Sequence, residues 1–175
     1  MKKVLFALPL ALALTGCGSD IDLVKGGVME FNQTTTLGKA LDNWKSCESR
    51  EWEEFETDNG IKVVQFTCQH KISQYMSKAK SLLSEEEQAK ANHLDIASNI
   101  QTFQFTINQG DTFQIDNVQV KTTWQDGTSF EDSQKPVEQL ETAYANNLNF
   151  DPAELNEMGA AQISYVFSMI KMRAK

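Results

Sequence analysis

The sequence predicts an α+β fold in which an antiparallel sheet, built from a hairpin over residues 51–69 and a meander over 101–131, packs against helices that include a long C-terminal one. Three observations carry that prediction. Phe103, Phe105 and Ile107 alternate with Thr102, Gln104 and Thr106, which is the period of a half-buried strand. Asp58-Asn59-Gly60 separates two strand-like runs with the chemistry of a tight hairpin turn. Near the end, Asp151, Pro152 and Glu154 combine an N-cap, a first-turn proline and a capping-box acid ahead of an apolar stretch that reaches Met172.

The chain opens with Lys2 and Lys3, continues through an apolar run over 4–14 interrupted only by Pro9, and then reads Thr15-Gly16-Cys17. This is the layout of a secretory signal peptide. The run is well short of the ~20 residues a helix needs to span a bilayer. Leu14-Thr15-Gly16-Cys17 resembles the lipobox of bacterial lipoproteins. The resemblance implies a signal peptide over 1–16, cleavage before Cys17, and acylation of the Cys17 thiol and its new amine. Several acyl chains, at ~0.8 kcal/mol per buried methylene, make such an anchor effectively permanent. In Gram-negative lipoproteins an Asp directly after the cysteine favours the inner membrane; here Gly18 stands in that place and Ser19 follows. The resemblance therefore implies the cell outer membrane, with the body facing the periplasm. The alternative is an ordinary signal peptide cut elsewhere, with Cys17 a free thiol.

Residues 17–32 read as a lipidated tether, since they lack sustained periodicity and contain Gly26-Gly27, with room for a short strand over 28–31. The body covers 33–175, as one α+β unit or as two tightly packed subdomains, 33–70 and 71–175. A helix is expected over 36–44, with Thr36 as N-cap and Leu37, Ala40, Leu41 and Trp44 on one face. Cys47 lies just beyond it. The hairpin strands cover 51–57 and 61–69; Val64, Phe66 and Cys68 share a face of the second, and Trp44, Trp52 and Phe55 are expected to join Phe66 in the core.

Ile72, Tyr75, Met76 and Ala79 allow a short helix. Ser84 and Glu87 form a capping box and the adjoining acids suit a helix dipole, so 85–97 reads as a helix rather than a calcium site. The Phe103 strand enters a turn at Asn108-Gln109-Gly110-Asp111. In the next strand Phe113 and Ile115 are odd but Val118, Val120 and Trp124 are even, which predicts a β-bulge or short turn near Asp116-Asn117. Gln125-Asp126-Gly127 turns the chain into a strand over 128–131. Pro136 opens a helix striped by Val137, Leu140, Tyr144 and Leu148. In the last helix Phe150 is placed to staple onto Leu155, and Met158, Tyr165, Phe167, Met169 and Met172 cover more than one narrow face. That width predicts a helix well buried across the sheet, with an adaptable groove for a ligand or partner, walled by Phe and Met side chains, as the rival reading.

The 175 residues carry 16 basic and 24 acidic side chains. Loss of Lys2 and Lys3 with the signal peptide moves the formal charge from −8 to −10, a balance that disfavours nucleic acid as a partner. With Cys17 assigned to lipid, Cys47 and Cys68 remain as a pair in a compartment that permits oxidation, and a disulfide is the simplest reading. A metal site using Cys47, Cys68 and His70 is the rival, weakened by having too few clustered ligands for a structural zinc. His70 and His93 are the only histidines and neither sits in a catalytic motif; nucleophile elbows, zinc-protease pairs and nucleotide fingerprints are absent. No catalytic residue, metal or cofactor is assigned. The stretch 31–68 is similar to uncharacterised small lipoproteins of Gram-negative bacteria, a likeness that brings no catalytic residues with it. Two functions follow as expectations: a non-catalytic envelope interaction or accessory protein with a protein partner, or a binder of a small or lipidic ligand in a groove between the C-terminal helix and the sheet.

Overall fold

The computed structural model describes residues 19–175, so the signal peptide and Cys17 lie outside the described residues. The fold is α+β, with a five-stranded antiparallel sheet, a separate two-stranded hairpin, and helices at both ends of the described residues.

Folding begins earlier than the tether reading places it. Helix α1 (Asp20–Gly26) is capped by Ser19, whose hydroxyl accepts from the Asp22 N–H while the Asp22 carboxylate accepts from the Ser19 N–H. Its Val24 is fully buried, Lys25 pairs with Asp42 at 2.7 Å and Asp20 with Lys62 at 2.9 Å. The short period hides this helix in the sequence, because only one turn faces the core. Strands β1 (Val28–Met29) and β2 (Asn32–Thr36) form the small hairpin, and α2 (Leu37–Asp42) follows with Thr36 as its cap, as the sequence predicts.

The five-stranded sheet runs β3 (Cys47–Glu56), β4 (Lys62–His70), β5 (Ile96–Asn108), β6 (Thr112–Trp124), β7 (Ser129–Gln134), each antiparallel to its neighbour. Trp52 pairs with Phe66 on the inner face of the first hairpin, whereas Phe55 pairs with Val63 on the other face and is 40 % exposed. Phe55 is thus outside the cluster expected for it. Between β5 and β6, Gln104 pairs with Asn117 but Phe105 with Ile115, so Asp116 is the extra residue of a bulge. That bulge is what switches the apolar positions from odd to even.

Between β4 and β5 lie α3 (Ser73–Ser81), α4 (Glu85–Lys90) and a single 3₁₀ turn (Asn92–Leu94). The Ser84 capping box forms, but the helix it starts stops at Lys90, not at residue 97, because Ile96 is already paired with Trp124 in the sheet. After β7, which extends past 131 to Gln134, come α5 (Pro136–Ala145) and α6 (Glu157–Lys171). Val137 of the expected α5 stripe is 49 % exposed, while Leu140 is fully buried.

The C-terminal helix departs most from expectation. Asp151 does not cap it: its carboxylate accepts from the Ala153 N–H in a turn, and the cap is Asn156, whose Oδ1 accepts from the Gly159 N–H at 2.9 Å. The helix packs on α3, the 3₁₀ turn and the edge strand β7, not across the sheet. Only Ala160 and Phe167 are buried in it.

Two apolar clusters share this sheet. One gathers Val24, Leu41, Trp44, Phe66, Phe103, Phe105 and Leu140. The other gathers Ile72, Met76, Leu94, Ile96, Trp124 and Phe167. Strands β5 and β6 run through both, with Phe105 in the first and Ile96 in the second.

Candidate functional site

Cys47 opens β3 and Cys68 lies near the end of β4, and the bulge after Cys47 brings the two sulfurs into a disulfide. Both thiols are used by that bond. His70, the third member of the rival metal set, is instead drawn into hydrogen bonds. It is buried against the Trp44 and Phe150 rings, at centroid distances of 5.2 and 5.7 Å.

Its two nitrogens are committed to neighbours. Nδ1 lies 2.9 Å from Ser46 Oγ, and Ser46 Oγ in turn accepts from the Asn149 N–H at 3.2 Å. Nε2 lies 2.9 Å from Gln101 Oε1, and Gln101 Nε2 donates to Gln139 Oε1 at 2.9 Å. The carbonyl oxygen of Gln101 can only accept, so Nε2 carries the proton and Nδ1 accepts from the Ser46 hydroxyl. Burial holds the imidazole below its ordinary value, with the bonds to Gln101 and Ser46 opposing that shift. The result is a neutral relay, Ser46 to His70 to Gln101 to Gln139, that ties the disulfide hairpin to β5 and α5.

This relay forms one wall of a cavity of about 270 Å³ between the sheet and the helices α5 and α6. Asn99, Gln101 and Thr122 rise from the sheet, and Phe130, Phe150 and Phe167 close the sides. Asn99 donates to Thr122 Oγ1 at 2.8 Å. Phe130, Phe150 and Phe167 supply the phenylalanine walls expected of a groove here, but methionine lines none of it and amides take that place. Phe150 reaches it because its ring packs against Tyr75 and His70, at centroid distances of 5.6 and 5.7 Å.

The methionines are elsewhere. Met158, Tyr165 and Met172 of the C-terminal segment are 80, 67 and 72 % exposed, and Met169 is 45 % exposed. Their spacing of seven, four and three places them on one helix face. The opposite face is held by Phe167 and Ala160, and the end of the helix is pinned by Lys171 to Asp126 at 2.7 Å and by paired backbone bonds between Lys175 and Ser129. Lys171 and Thr128 together hold the Asp126 carboxyl down to about 2.

His93 Nε2 lies 2.7 Å from Ser164 Oγ on α6. Burial first, then the Lys171 charge, holds this imidazole below its ordinary value. Ser164 sits mid-helix, where backbone N–H groups are spent on the helix itself.

Sequence reasoning located Cys47, Cys68 and His70 but not Ser46, Asn99, Gln101, Thr122 or Gln139. A signal was available for two of them. Asn99 and Gln101 continue the core parity of Phe103 and Phe105, so polar residues occupy positions that the strand period assigns to the interior.

Residues 1–17 match the family model of the prokaryotic membrane lipoprotein lipid attachment site. The chain carries the processing and acylation signal of a bacterial membrane lipoprotein, with Cys17 as its last residue. No curated protein and no solved structure matches the chain. No helix among the described residues is long and apolar enough to cross a membrane.

Proposed function

We propose that this protein is a non-catalytic accessory lipoprotein of the Gram-negative outer membrane, facing the periplasm, that presents α6 to a protein partner. The exposed stripe of Met158, Tyr165, Met169 and Met172 carries the reading. Single exposed apolar residues are ordinary, but four of them recurring along one face of a helix anchored by its other side mark a contact surface. Methionine suits it, being flexible and polarizable enough to fit a partner groove, and an amphipathic helix in a groove is a recurring mode of recognition.

Geometry favours a protein over the bilayer as the occupant. The fold begins at Ser19, two residues after Cys17, so no more than about 7 Å of chain separates the anchor from α1. Helix α1 belongs to the cluster at the Ile107 end of β5, and α6 to the cluster at the Ile96 end. Eleven residue steps along the strand separate those ends, roughly 35 Å at the rise of a β-strand. The lipid thus tethers one end and α6 projects from the other. His70 is committed through both ring nitrogens to Ser46 and Gln101, which supports a structural role for it.

A photo-crosslinking residue at position 169, with position 121 on β6 as control, tests this in intact envelopes. The expected outcome is an adduct of one defined mass at 169, lost in Met158→Lys/Tyr165→Lys and absent at 121. Equal labelling at both positions, or none at 169, overturns it. An adduct of twice the chain's mass replaces the partner with a second copy. In the same cells Cys17→Ser is expected to leave the membrane fraction; a variant that stays bound refutes the anchor.

A further inference from the structure

We propose that the cavity between β5, β6, β7 and the helices α5 and α6 is a binding site for a neutral, hydroxyl-rich ligand the size of one sugar ring. The case starts from where the polar residues are. Ser46, His70, Asn99, Gln101 and Thr122 are the buried polar residues of the described chain, and four of these five line this cavity while Ser46 bonds His70. Buried polar groups are the informative exceptions in a core, because each costs free energy unless it is satisfied.

Their placement follows a pattern. Along β5 the inward positions read Phe105, Phe103, Gln101, Asn99 and then Ile96; along β6 they read Val118, Val120, Thr122 and Trp124. The sheet face is apolar at both ends and polar in the middle. That middle is where the two apolar clusters part and the cavity of about 270 Å³ opens. Its volume falls just under the ~300–1,000 Å³ of pockets for drug-sized ligands, which suits one ring rather than a chain.

The chemistry of the walls selects the ligand class. No Lys or Arg lines the cavity, and its one carboxylate, Asp132, accepts from Gln134 Nε2 at 3.0 Å. A phosphate ester or carboxylate would meet no cation there, and a lipid chain would strand the amides. The amides are aimed for use. The relay from Ser46 through His70 fixes Gln101, which occupies Gln139 Oε1 and leaves Gln139 Nε2 as a donor. Asn99 gives Nδ2 to Thr122, which leaves Asn99 Oδ1 as an acceptor and the Thr122 hydroxyl proton as a donor. Tyr144 Oη is the one buried side-chain polar atom without a partner among the described residues, so Asn99 Oδ1, which has no protein partner, is open to the cavity rather than sealed in apolar packing. Donors and acceptors side by side, flanked by the Phe130, Phe150 and Phe167 rings, match the hydroxyls and C–H face of a saccharide.

The test is saturation-transfer NMR on the full acylated lipoprotein in a detergent without a sugar head group. The probe is N-acetylglucosamine, with glucose 6-phosphate as the charged counterpart. The variant Asn99→Leu/Thr122→Val removes both partners of one hydrogen bond together, a change that leaves no orphaned group and keeps the core folded. Thermal melting of the variant within a few degrees of the parent verifies that. The expected result is transfer to N-acetylglucosamine, weakened about tenfold or more in the folded double variant, and none to glucose 6-phosphate. No transfer to N-acetylglucosamine, or transfer unchanged in the double variant, overturns the proposal; equal transfer to glucose 6-phosphate overturns the neutral class. Should the double variant melt early, Gln139→Ala, on the solvent side of the relay, is read instead against the same outcomes.

Discussion

His70 shows how much one side chain sets in this protein. Its imidazole is held neutral by burial, below the ordinary value of 6.5, so the unfolded chain binds a proton more readily than the folded one. The stabilisation is full above pH 6.5 and is lost as pH falls from there through the lower folded value. Urea denaturation between pH 8 and pH 5 is expected to show stability declining below pH 6.5, with a shallower decline in His70→Gln. A profile equally steep in that variant would assign the effect to another group. The neighbouring disulfide acts on the same hairpin. Cys47 and Cys68 are separated by 21 positions, and closing such a loop is worth ~3 kcal/mol in the chain-entropy account. Cys47→Ala/Cys68→Ala is expected to lose that amount in denaturant titrations, and added reductant is expected to affect the parent but not the variant.

At the scale of elements, sequence periodicity missed α1 and misjudged the burial of α6, for opposite reasons. Helix α1 is too short to show a period, and it holds its place through close approach. A Cβ on Gly38 of α2 would come within 2.8 Å of Lys25 Cβ and 2.9 Å of the Lys25 carbonyl oxygen. The backbone of α1 would have to move. Gly38→Ala is therefore expected to destabilise by about 1–3 kcal/mol through overpacking, although alanine is the better helix former by ~1 kcal/mol. Hydrogen exchange is expected to report the loss in α1 first; an unchanged or raised melting temperature would show that the two helices separate freely. Helix α6 carries a strong apolar signal, but its apolar residues divide between a buried face through Phe167 and an exposed one through Tyr165. Composition measures both faces together. It cannot separate a core from a contact surface.

Across the whole molecule, the sheet connects two environments. One end carries α1, which closely follows the lipid attachment site, and the other carries α6, with a polar cavity between the two apolar clusters. That arrangement puts helix α1, the pocket and the exposed helix face in sequence along β5 and β6. The strands of the five-stranded sheet were legible from the chain alone: Phe103 to Ile107 set the period, Asp58-Asn59-Gly60 the first turn, and the parity change at Asp116 the bulge. Local chemistry decides these features, since alternation, turn residues and caps act within a few positions. The lipobox is equally local, being read by processing enzymes as a short linear signal. The cavity is not local. Its walls come from Asn99 and Thr122 on separate strands, Gln139 on α5 and Phe150 on a loop, and only the folded sheet brings them within reach of one ligand. The anchor, the strands and the cysteine pair were thus determined by the sequence itself. Which apolar face α6 buries, and which buried amides share one space, was decided by tertiary packing, because both depend on what lies opposite a side chain rather than beside it.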